Sequence, residues 1–206
     1  MIIIEGQIGV GKTTIGEILE QRFGIPLYRE LGNPHTLSLL DKFYADKRRW
    51  AFTLQIHFLN ERFRMIKQIF AAGGGILDRS IFGDRIFAEM LHADGDMSAE
   101  EFATYTTLLD SMLEHAQEPQ LLIYLDCSVD TALDRIKQRD RGLESGIPRE
   151  YLLELNDRYL SWYESYRHSP KIFVNTEAFH VENSAELEPV IRRIGAAMGL
   201  DPVTRA

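Results

Sequence analysis

The chain has 206 residues, and its 23 lysines and arginines against 31 aspartates and glutamates give a formal net charge of −8 at pH 7. Its 45% hydrophobic and 26% charged residues are ordinary for a globular domain and exclude a disordered or coiled-coil protein. The acidic balance argues against non-specific binding to nucleic acid or to an anionic membrane, because the electrostatic term would be repulsive over most of the surface. We therefore expect a folded domain that holds any phosphate locally.

The expected compartment is the cytoplasm. A single cysteine, Cys127, cannot form an internal disulfide. The first residues, MIIIEG, have too short an apolar run for a secretory signal or an anchor, and no later run is long enough to span a membrane.

Short apolar segments alternate with longer segments of helical period, a pattern that is typical of a parallel sheet covered by helices. We predict strands at 1–5, about 25–29, 75–77, 121–125 and 171–174. We predict a mostly helical insert at 34–72 and further helices at 80–92, 98–115, 130–138, 148–166 and 184–198. No linker divides the chain, so we expect one α/β domain over 1–206, a five-stranded parallel sheet flanked by helices.

A glycine-rich motif, GQIGVGKT, follows the first predicted strand and precedes a helical segment. It fits G-x-x-x-x-G-K-[ST], the P-loop, in which backbone N–H groups and a helix N-terminus hold phosphate. Lys12 would reach the β- and γ-phosphates as a surface charge, and the Thr13 hydroxyl would bind Mg²⁺. The sequence therefore predicts a P-loop three-layer fold, with ATP held by Gly6, Gln7, Ile8, Gly9, Val10, Gly11, Lys12, Thr13 and Thr14.

The fate of the bound phosphate does not follow from a P-loop alone. Regulatory GTPases recognise guanine through an N-K-x-D element, and no asparagine of this chain is followed by lysine. The sequence therefore argues against a regulatory GTPase.

Three polar clusters lie at or just beyond the ends of predicted strands, where ligands bind in open parallel sheets. Glu30 closes the second strand, and LDRS at 77–80 closes the third. The third cluster, RIKQRDRGLE at 135–144, follows the fourth strand and a helix. Its Arg135 and Arg139 share a helix face, which costs repulsion unless an anion lies between them.

A wall for a flat base is predicted on the long helix. Gln55, Leu59 and Arg62 stand at i, i+4 and i+7, so an amide and a guanidinium share one face across an apolar side chain. The alternative is that Gln55 and Arg62 are surface polar residues of an amphipathic helix. Asp84 has its own alternative, as an acid favoured by the helix dipole in the first turn.

Taken together, these motifs resemble the deoxynucleoside kinase family, most closely its bacterial deoxyadenosine/deoxyguanosine kinases. The resemblance covers most of the first 165 residues, through EGQIGVGKTT, NPHTLSLLDKFYADKRRWAFTLQIHFLNERF, LDRSIFGDRIFAEML and RIKQRDRGLESGIPREYL. It implies an enzyme of nucleotide salvage that transfers the γ-phosphoryl of Mg·ATP to the 5′-hydroxyl of a deoxynucleoside, and it suggests a homodimer. We expect a purine acceptor, with deoxyadenosine favoured, deoxyguanosine next and deoxycytidine possible.

The same resemblance implies roles for individual residues. The catalytic set is Glu30 as general base for the 5′-hydroxyl, Arg79 on that hydroxyl and the transferring phosphoryl, and Lys12. Asp78, together with Thr13, would hold Mg²⁺; many family members carry glutamate at the position of Asp78.

Further residues implied by the resemblance surround the substrates. Tyr44 and Glu144 would clasp the sugar 3′-hydroxyl, while Gln55, Arg62 and Asp84 would face the base. A lid over about 135–147 would close on ATP and would be mobile without nucleotide. Its arginines are Arg135, Arg139 and Arg141, and Glu177 and Phe179 would lie beside the adenine.

Three alternatives remain at this stage. Asp126 ends the apolar strand LLIYLD and is a second candidate for Mg²⁺ by generic P-loop reasoning. A thymidylate kinase-like enzyme would share the glycine loop and the DR motif but would phosphorylate a nucleoside monophosphate. A non-catalytic nucleotide-sensing protein with an arginine-lined cleft is the most distant alternative.

Overall fold

The computed structural model describes residues 1–139, 146–177 and 184–200. Its centre is a parallel sheet of five strands in the order β2-β3-β1-β4-β5. The strands are β1 (Ile2–Glu5), β2 (Leu27–Tyr28), β3 (Ile76–Asp78), β4 (Leu121–Asp126) and β5 (Lys171–Asn175). The predicted α/β class and the parallel five-stranded sheet are confirmed, although β2 is shorter than the predicted segment 25–29.

Helices cover both faces of this sheet. They are α1 (Lys12–Phe23), α2 (Pro34–Ala45), α3 (Lys47–Ala71), α4 (Arg85–Ala93), α5 (Ala99–Leu113), α6 (Val129–Arg139), α7 (Arg149–Ser165) and α8 (Ser184–Met198). The predicted insert 34–72 divides at Asp46, whose side chain accepts a hydrogen bond from the backbone N–H of Arg49 and so begins α3.

The predicted start of the helix at 80–92 was wrong. The chain first forms a 3₁₀ turn at Ile81–Gly83 and only then α4. The cause is the buried carboxylate of Glu5, which accepts from the backbone N–H of Ser80 at 2.7 Å. A Cβ at Gly83 would stand 3.2 Å from that carboxylate, so the turn is drawn tightly over Glu5.

The alternation of β1 side chains divides the core into two layers. Ile3 packs with the face that carries α3, α4, α5 and α7, where Leu77 and Leu122 lie beside it. Ile2 and Ile4 pack on the opposite face, which carries α1 and α8. The result is a helix–sheet–helix sandwich, which confirms the three-layer fold.

The topology places the glycine-rich loop at the middle of the sheet. β1 lies between β3 and β4, and the chain runs to one side of β1 for β2 and β3 and to the other for β4 and β5. Ligands bind at such a switch point, outside the carboxyl ends of the strands. In the part of the chain that the structure describes, none of the helices combines the length and apolar character needed to cross a bilayer.

Candidate active site

The glycine-rich loop runs from the end of β1 to the start of α1. Gly6 and Gly9 have φ angles of +142° and +86°, which side-chain-bearing residues rarely adopt. A Cβ at Gly6 would stand 2.3 Å from the carbonyl oxygen of Leu125, and one at Gly9 would stand 2.6 Å from that of Ala132. The loop therefore packs tightly against β4 and α6, and only glycine fits at these two positions.

The Lys12 side chain folds back against the glycine-rich loop. Its ammonium donates to the carbonyl oxygens of Gly6 at 3.0 Å and Gln7 at 2.7 Å. The expectation of a surface charge was wrong, because the residue is only 7% exposed. Burial and the neighbouring charge of Arg79 lower the pKa of Lys12 to about 7.

Thr13 and Asp78 lie together, as the magnesium prediction requires. The Thr13 hydroxyl donates to Asp78 Oδ2 at 2.6 Å, and the buried Asp78 Oδ1 has no hydrogen-bond partner among the described residues. Burial and, among the nearby charges, that of Glu30 raise the pKa of Asp78, although Lys12 acts in the opposite sense.

The alternative carboxylate, Asp126, ends β4 on the other side of β1. Its main-chain carbonyl accepts from the N–H of Thr176 at 2.7 Å. Burial and the nearby charge of Glu177 raise the pKa of Asp126. Hydrogen bonding to the P-loop threonine thus distinguishes Asp78 from Asp126.

Glu30, just beyond β2, is held by two arginines. Arg62 of α3 pairs with its Oε1, and Arg79 Nε lies 3.1 Å from its Oε2. Burial raises the pKa of Glu30, but the charges of Arg62, Arg79 and Lys12 together outweigh burial and place it below its ordinary value. Glu30 is therefore a carboxylate at neutral pH, with its charge shared between two guanidinium groups.

The three side chains predicted to face the base, those of Gln55, Arg62 and Asp84, are buried. Arg62 also pairs with Asp84, and the two side chains are 4% and 0% exposed. Gln55 is 4% exposed, and its Oε1 has no partner within the described ranges. Gln55 and Arg62 are therefore not solvent-facing residues of an amphipathic helix. Asp84 stands directly before α4, where the helix dipole favours an acid, and its buried side chain also pairs with Arg62.

Arg79 has the only positive φ angle, +68°, of any non-glycine residue that the structure describes. It lies between β3 and the 3₁₀ turn, and its guanidinium donates to the hydroxyl of Tyr159. Tyr159 and Glu5 were not predicted as site residues, because each has the spacing of an ordinary core position. Glu5 could have been identified from the sequence, because an acidic residue in an apolar strand directly before the glycine-rich loop is unusual.

The structure describes some of the residues that were predicted to contact the sugar and ATP. Tyr44 is half-buried in α2 and lies near the hydroxyl of Tyr151 in α7. Arg135 donates to the side-chain and main-chain oxygens of Thr176, at 3.2 and 2.6 Å. The predicted residues Arg141, Glu144 and Phe179 lie outside the described residues, as does the side chain of Arg139 and most of the predicted lid.

Glu177 belongs to the predicted adenine loop. Its carboxylate accepts from the backbone N–H and hydroxyl of Ser128, at 2.6 and 2.8 Å, and from the hydroxyl of Thr131 at 2.6 Å. These hydrogen bonds lower the pKa of Glu177. Its carboxylate thus fastens the segment after β5 to the start of α6, and its contact with ATP stays a prediction.

The fold and the site define a class of protein, the P-loop phosphotransferases, with an acid and two arginines beside the phosphate loop. The family model described as deoxynucleoside kinase matches residues 2–198. The chain belongs to the deoxynucleoside kinase family, and it is a phosphotransferase. This confirms the family resemblance and does not favour the thymidylate kinase-like alternative.

Individual relatives agree with this assignment. The deoxyadenosine/deoxycytidine kinase of Bacillus subtilis is 38% identical over 206 residues, which are 96% of this chain and 93% of that protein. A deoxyguanosine kinase of Lactobacillus acidophilus is 35% identical over 94% of this chain and 89% of its own length. Among solved structures, the deoxyadenosine kinase of M. mycoides with bound dATP has a TM-score of 0.81 at 27% identity, covering 94% of this chain and 98% of that one.

Proposed function

We propose that this enzyme transfers the γ-phosphoryl group of Mg·ATP to the 5′-hydroxyl of a deoxynucleoside. A purine deoxynucleoside is the expected acceptor, with deoxyadenosine favoured, deoxyguanosine next and deoxycytidine third. The observation that carries the proposal is the chain of charges Asp84–Arg62–Glu30–Arg79 beside the P-loop, in which Glu30 is partly buried and the other three side chains are buried. It joins a surface suited to a base edge to a carboxylate suited to a hydroxyl. The names of the relatives, which include kinases of deoxyadenosine, deoxycytidine and deoxyguanosine, point to the same acceptors.

The donor phosphates belong in the glycine loop. ATP would draw the Lys12 ammonium from the carbonyl oxygens of Gly6 and Gln7 onto the β- and γ-phosphates, where it offsets charge that develops in the transfer. Backbone N–H groups of the loop and the N-terminus of α1 would hold the β-phosphate.

Thr13 and Asp78 fit a magnesium ion. Hydroxyl and carboxylate oxygens are ligands that Mg²⁺ prefers, and Asp78 Oδ1 is buried and lacks a partner in the described part of the chain. Mg²⁺ in such sites takes its remaining ligands from substrate phosphates and water. When bound, the ion would neutralise charge on the phosphates of the donor.

The transfer step needs a base for the acceptor hydroxyl. Glu30 would take the 5′-hydroxyl proton as the bond from the 5′-oxygen to the γ-phosphorus forms and the bond to the β-phosphate oxygen breaks, leaving ADP. Arg79 Nε lies 3.1 Å from Glu30 Oε2. Its guanidinium would also contact the acceptor 5′-oxygen and the phosphoryl group that is being transferred. The lowered pKa of Glu30 keeps it ionised and ready to accept the proton.

The acceptor base would be read by three side chains. Asp84 can accept from an exocyclic amine, Arg62 can donate to a ring nitrogen or carbonyl, and Gln55 can do both. The unpartnered Gln55 Oε1 is the atom that an adenine amine would satisfy. Tyr44 and Glu144 would hold the sugar 3′-hydroxyl, and Arg135, Arg139 and Arg141 would close over ATP.

An ADP-release assay tests the proposal. The purified enzyme would be supplied with Mg·ATP and each of the four deoxynucleosides, their ribose counterparts and the matching deoxynucleoside monophosphates. The expected result is the highest kcat/KM with deoxyadenosine and no turnover with monophosphates. A preference for thymidine would overturn the purine assignment, and a preference for a monophosphate would overturn the acceptor class. Replacing ATP with the other nucleoside triphosphates defines the donor.

The protein is proposed to be a homodimer and to be located in the cytoplasm. The support is the family resemblance and, for the compartment, a chain with a single cysteine. Light scattering on the purified protein, with a mass of twice 23.7 kDa expected, tests the dimer. A monomer at micromolar concentration would overturn it.

A further inference from the structure

The hydroxyl of Tyr159 lies deep in the protein between Arg79 and Glu5. Tyr159 is on α7 and is 1% exposed. It accepts a hydrogen bond from Arg79 Nη1, and its oxygen lies 3.5 Å from Glu5 Oε2, to which it can donate. One hydroxyl thus joins a buried cation to a buried acid.

Glu5 holds the backbone that carries Arg79. Its Oε1 accepts from the N–H of Ser80 at 2.7 Å and from the Ser80 hydroxyl at 2.9 Å, while the Arg79 N–H donates to Ile4 at 3.1 Å. A φ of +68° in a residue with a side chain persists only where the surroundings fix it. The backbone N–H of Arg79 is held by Ile4, and the next N–H, that of Ser80, is held by Glu5. These two hydrogen bonds fix the backbone on both sides of the Arg79 Cα.

The Arg79 guanidinium is held at separate nitrogens. Nε faces Glu30 at 3.1 Å, Nη1 donates to Tyr159, and the ring of Phe87 lies 4.8 Å from Cζ. One hydrogen bond locates a guanidinium, and a second at another nitrogen also sets the direction of its plane. In the proposed mechanism Glu30 also binds the acceptor hydroxyl, whereas Tyr159 has no role that would require it to release Arg79.

We propose that Tyr159 is a positioning residue that sets the orientation of the Arg79 guanidinium for phosphoryl transfer, with Glu5 anchoring the Tyr159 hydroxyl and the turn that carries Arg79. This inference rests on the proposed function, in which Arg79 holds the acceptor oxygen and the transferring phosphoryl. Tyr159 touches neither substrate, and its effect passes through Arg79.

Tyr159→Phe removes only the hydroxyl, and Tyr124→Phe is its matched control. Tyr124 is also fully buried, lies 6.4 Å from Tyr159 between ring centres, and its hydroxyl has no partner in the described part of the structure. We expect Tyr159→Phe to lower kcat about 10- to 100-fold, the scale for a small misplacement of a catalytic group, with the KM for deoxyadenosine within about twofold. We expect Tyr124→Phe to retain kcat within about twofold. Unchanged kcat in Tyr159→Phe, or an equal loss in the control, would overturn the proposal.

A double-mutant cycle with Arg79→Lys distinguishes positioning from a general effect on packing. Lysine keeps the charge but has no guanidinium plane to orient, so adding Tyr159→Phe to Arg79→Lys should change kcat less than about twofold. Independent, multiplied losses would overturn positioning by Tyr159. Wild-type kcat in Arg79→Lys alone would instead overturn the role given to Arg79 in the proposed function.

A direct measurement does not depend on turnover. NMR of ¹⁵N-labelled arginine side chains reports rotation about the Nε–Cζ bond, which is slow for a guanidinium held at two nitrogens. We expect the Arg79 rotation to be faster in Tyr159→Phe and unchanged in Tyr124→Phe. Equal rates in all three proteins would show that the hydroxyl does not hold Arg79.

Discussion

Arg62 and Asp84 form an ion pair in which both side chains are buried, 4% and 0% exposed. The other terminal nitrogen of Arg62 pairs with Glu30, so one guanidinium joins the surface proposed for the base to the carboxylate proposed for the 5′-hydroxyl. Groups in one buried network affect one another through the low dielectric around them. A nucleobase that displaces Arg62 would therefore also displace a partner of Glu30, the carboxylate proposed as general base.

Replacing Glu30 with glutamine tests its role in proton transfer. The amide keeps the shape but cannot take a proton, so kcat should fall about 10²- to 10⁴-fold while the Kd for deoxyadenosine changes only a few-fold. Because Arg62 and Arg79 lose a shared counter-charge, the free energy of unfolding should fall by about 1–3 kcal/mol. Steady-state kinetics, calorimetry of binding and denaturant melts measure the three effects. A kcat within about threefold of wild type would remove Glu30 from the mechanism.

Lys12→Met is expected to separate activity from folding. The amine is buried in the loop with a pKa of about 7, so an apolar chain of similar length replaces a group that is costly to charge there. The melting temperature should stay within a few degrees of wild type, because removal of a costly buried charge offsets the loss of the hydrogen bonds to Gly6 and Gln7. Turnover should fall by at least about 10²-fold, because the ammonium proposed to reach the β- and γ-phosphates is gone. Near-normal turnover would contradict the assignment of the loop.

The pH dependence of stability should show a contribution from Glu5. Burial raises its pKa above the ordinary value, so the folded state holds the proton more tightly than the unfolded chain. Glu5 therefore lowers stability as the pH rises from its unfolded pKa toward its folded pKa, by up to about 1.4 kcal/mol per pH unit.

The matched variant for this measurement is Glu5→Gln, since an amide oxygen can still accept from Ser80. Denaturant melts at pH 5 and pH 8 should show that Glu5→Gln gains stability relative to wild type at the higher pH. A difference between the two proteins that is the same at both pH values would contradict a raised pKa for Glu5.

The strands and the phosphate loop could be read from the sequence because they depend on local signals. Apolar segments such as LLIYL and a motif such as GQIGVGKT keep their meaning without knowledge of their neighbours. The 3₁₀ turn at Ile81–Gly83 depends instead on the carboxylate of Glu5, which lies 75 positions before its hydrogen-bond donor Ser80. Periodicity within a window cannot contain such a contact.

The burial of polar and charged side chains could not be predicted from the sequence either. Lys12 was expected at the surface, and Gln55 and Arg62 each had an exposed alternative, because polar residues are usually exposed. Asp84 had an alternative as a first-turn acid. Their burial depends on pairing between α3, the segment after β2 and the turn after β3, which are distant in the chain. Tyr159 had no polar signal at all, since tyrosine at helical spacing is most often core.

Specificity against thymidine offers the sharpest test of the base wall. Adenine, guanine and cytosine have an exocyclic amine to donate to Asp84, whereas thymine has none and adds a methyl group where the charged pair stands. Its entry would leave a buried charged group without a partner, at a cost of a few kcal/mol, so thymidine should be the poorest substrate by orders of magnitude.

In the double variant Arg62→Met with Asp84→Ala, turnover of deoxyadenosine should fall, because Glu30 loses a partner. The ratio of kcat/KM for thymidine to that for deoxyadenosine should rise at least about tenfold. Arg64→Met is the control on the same helix, since Arg64 is half exposed and pairs with Glu61, and its ratio should stay at the wild-type value. A wild-type enzyme that phosphorylates thymidine best, or a double variant with an unchanged ratio, would show that Arg62 and Asp84 do not read the base.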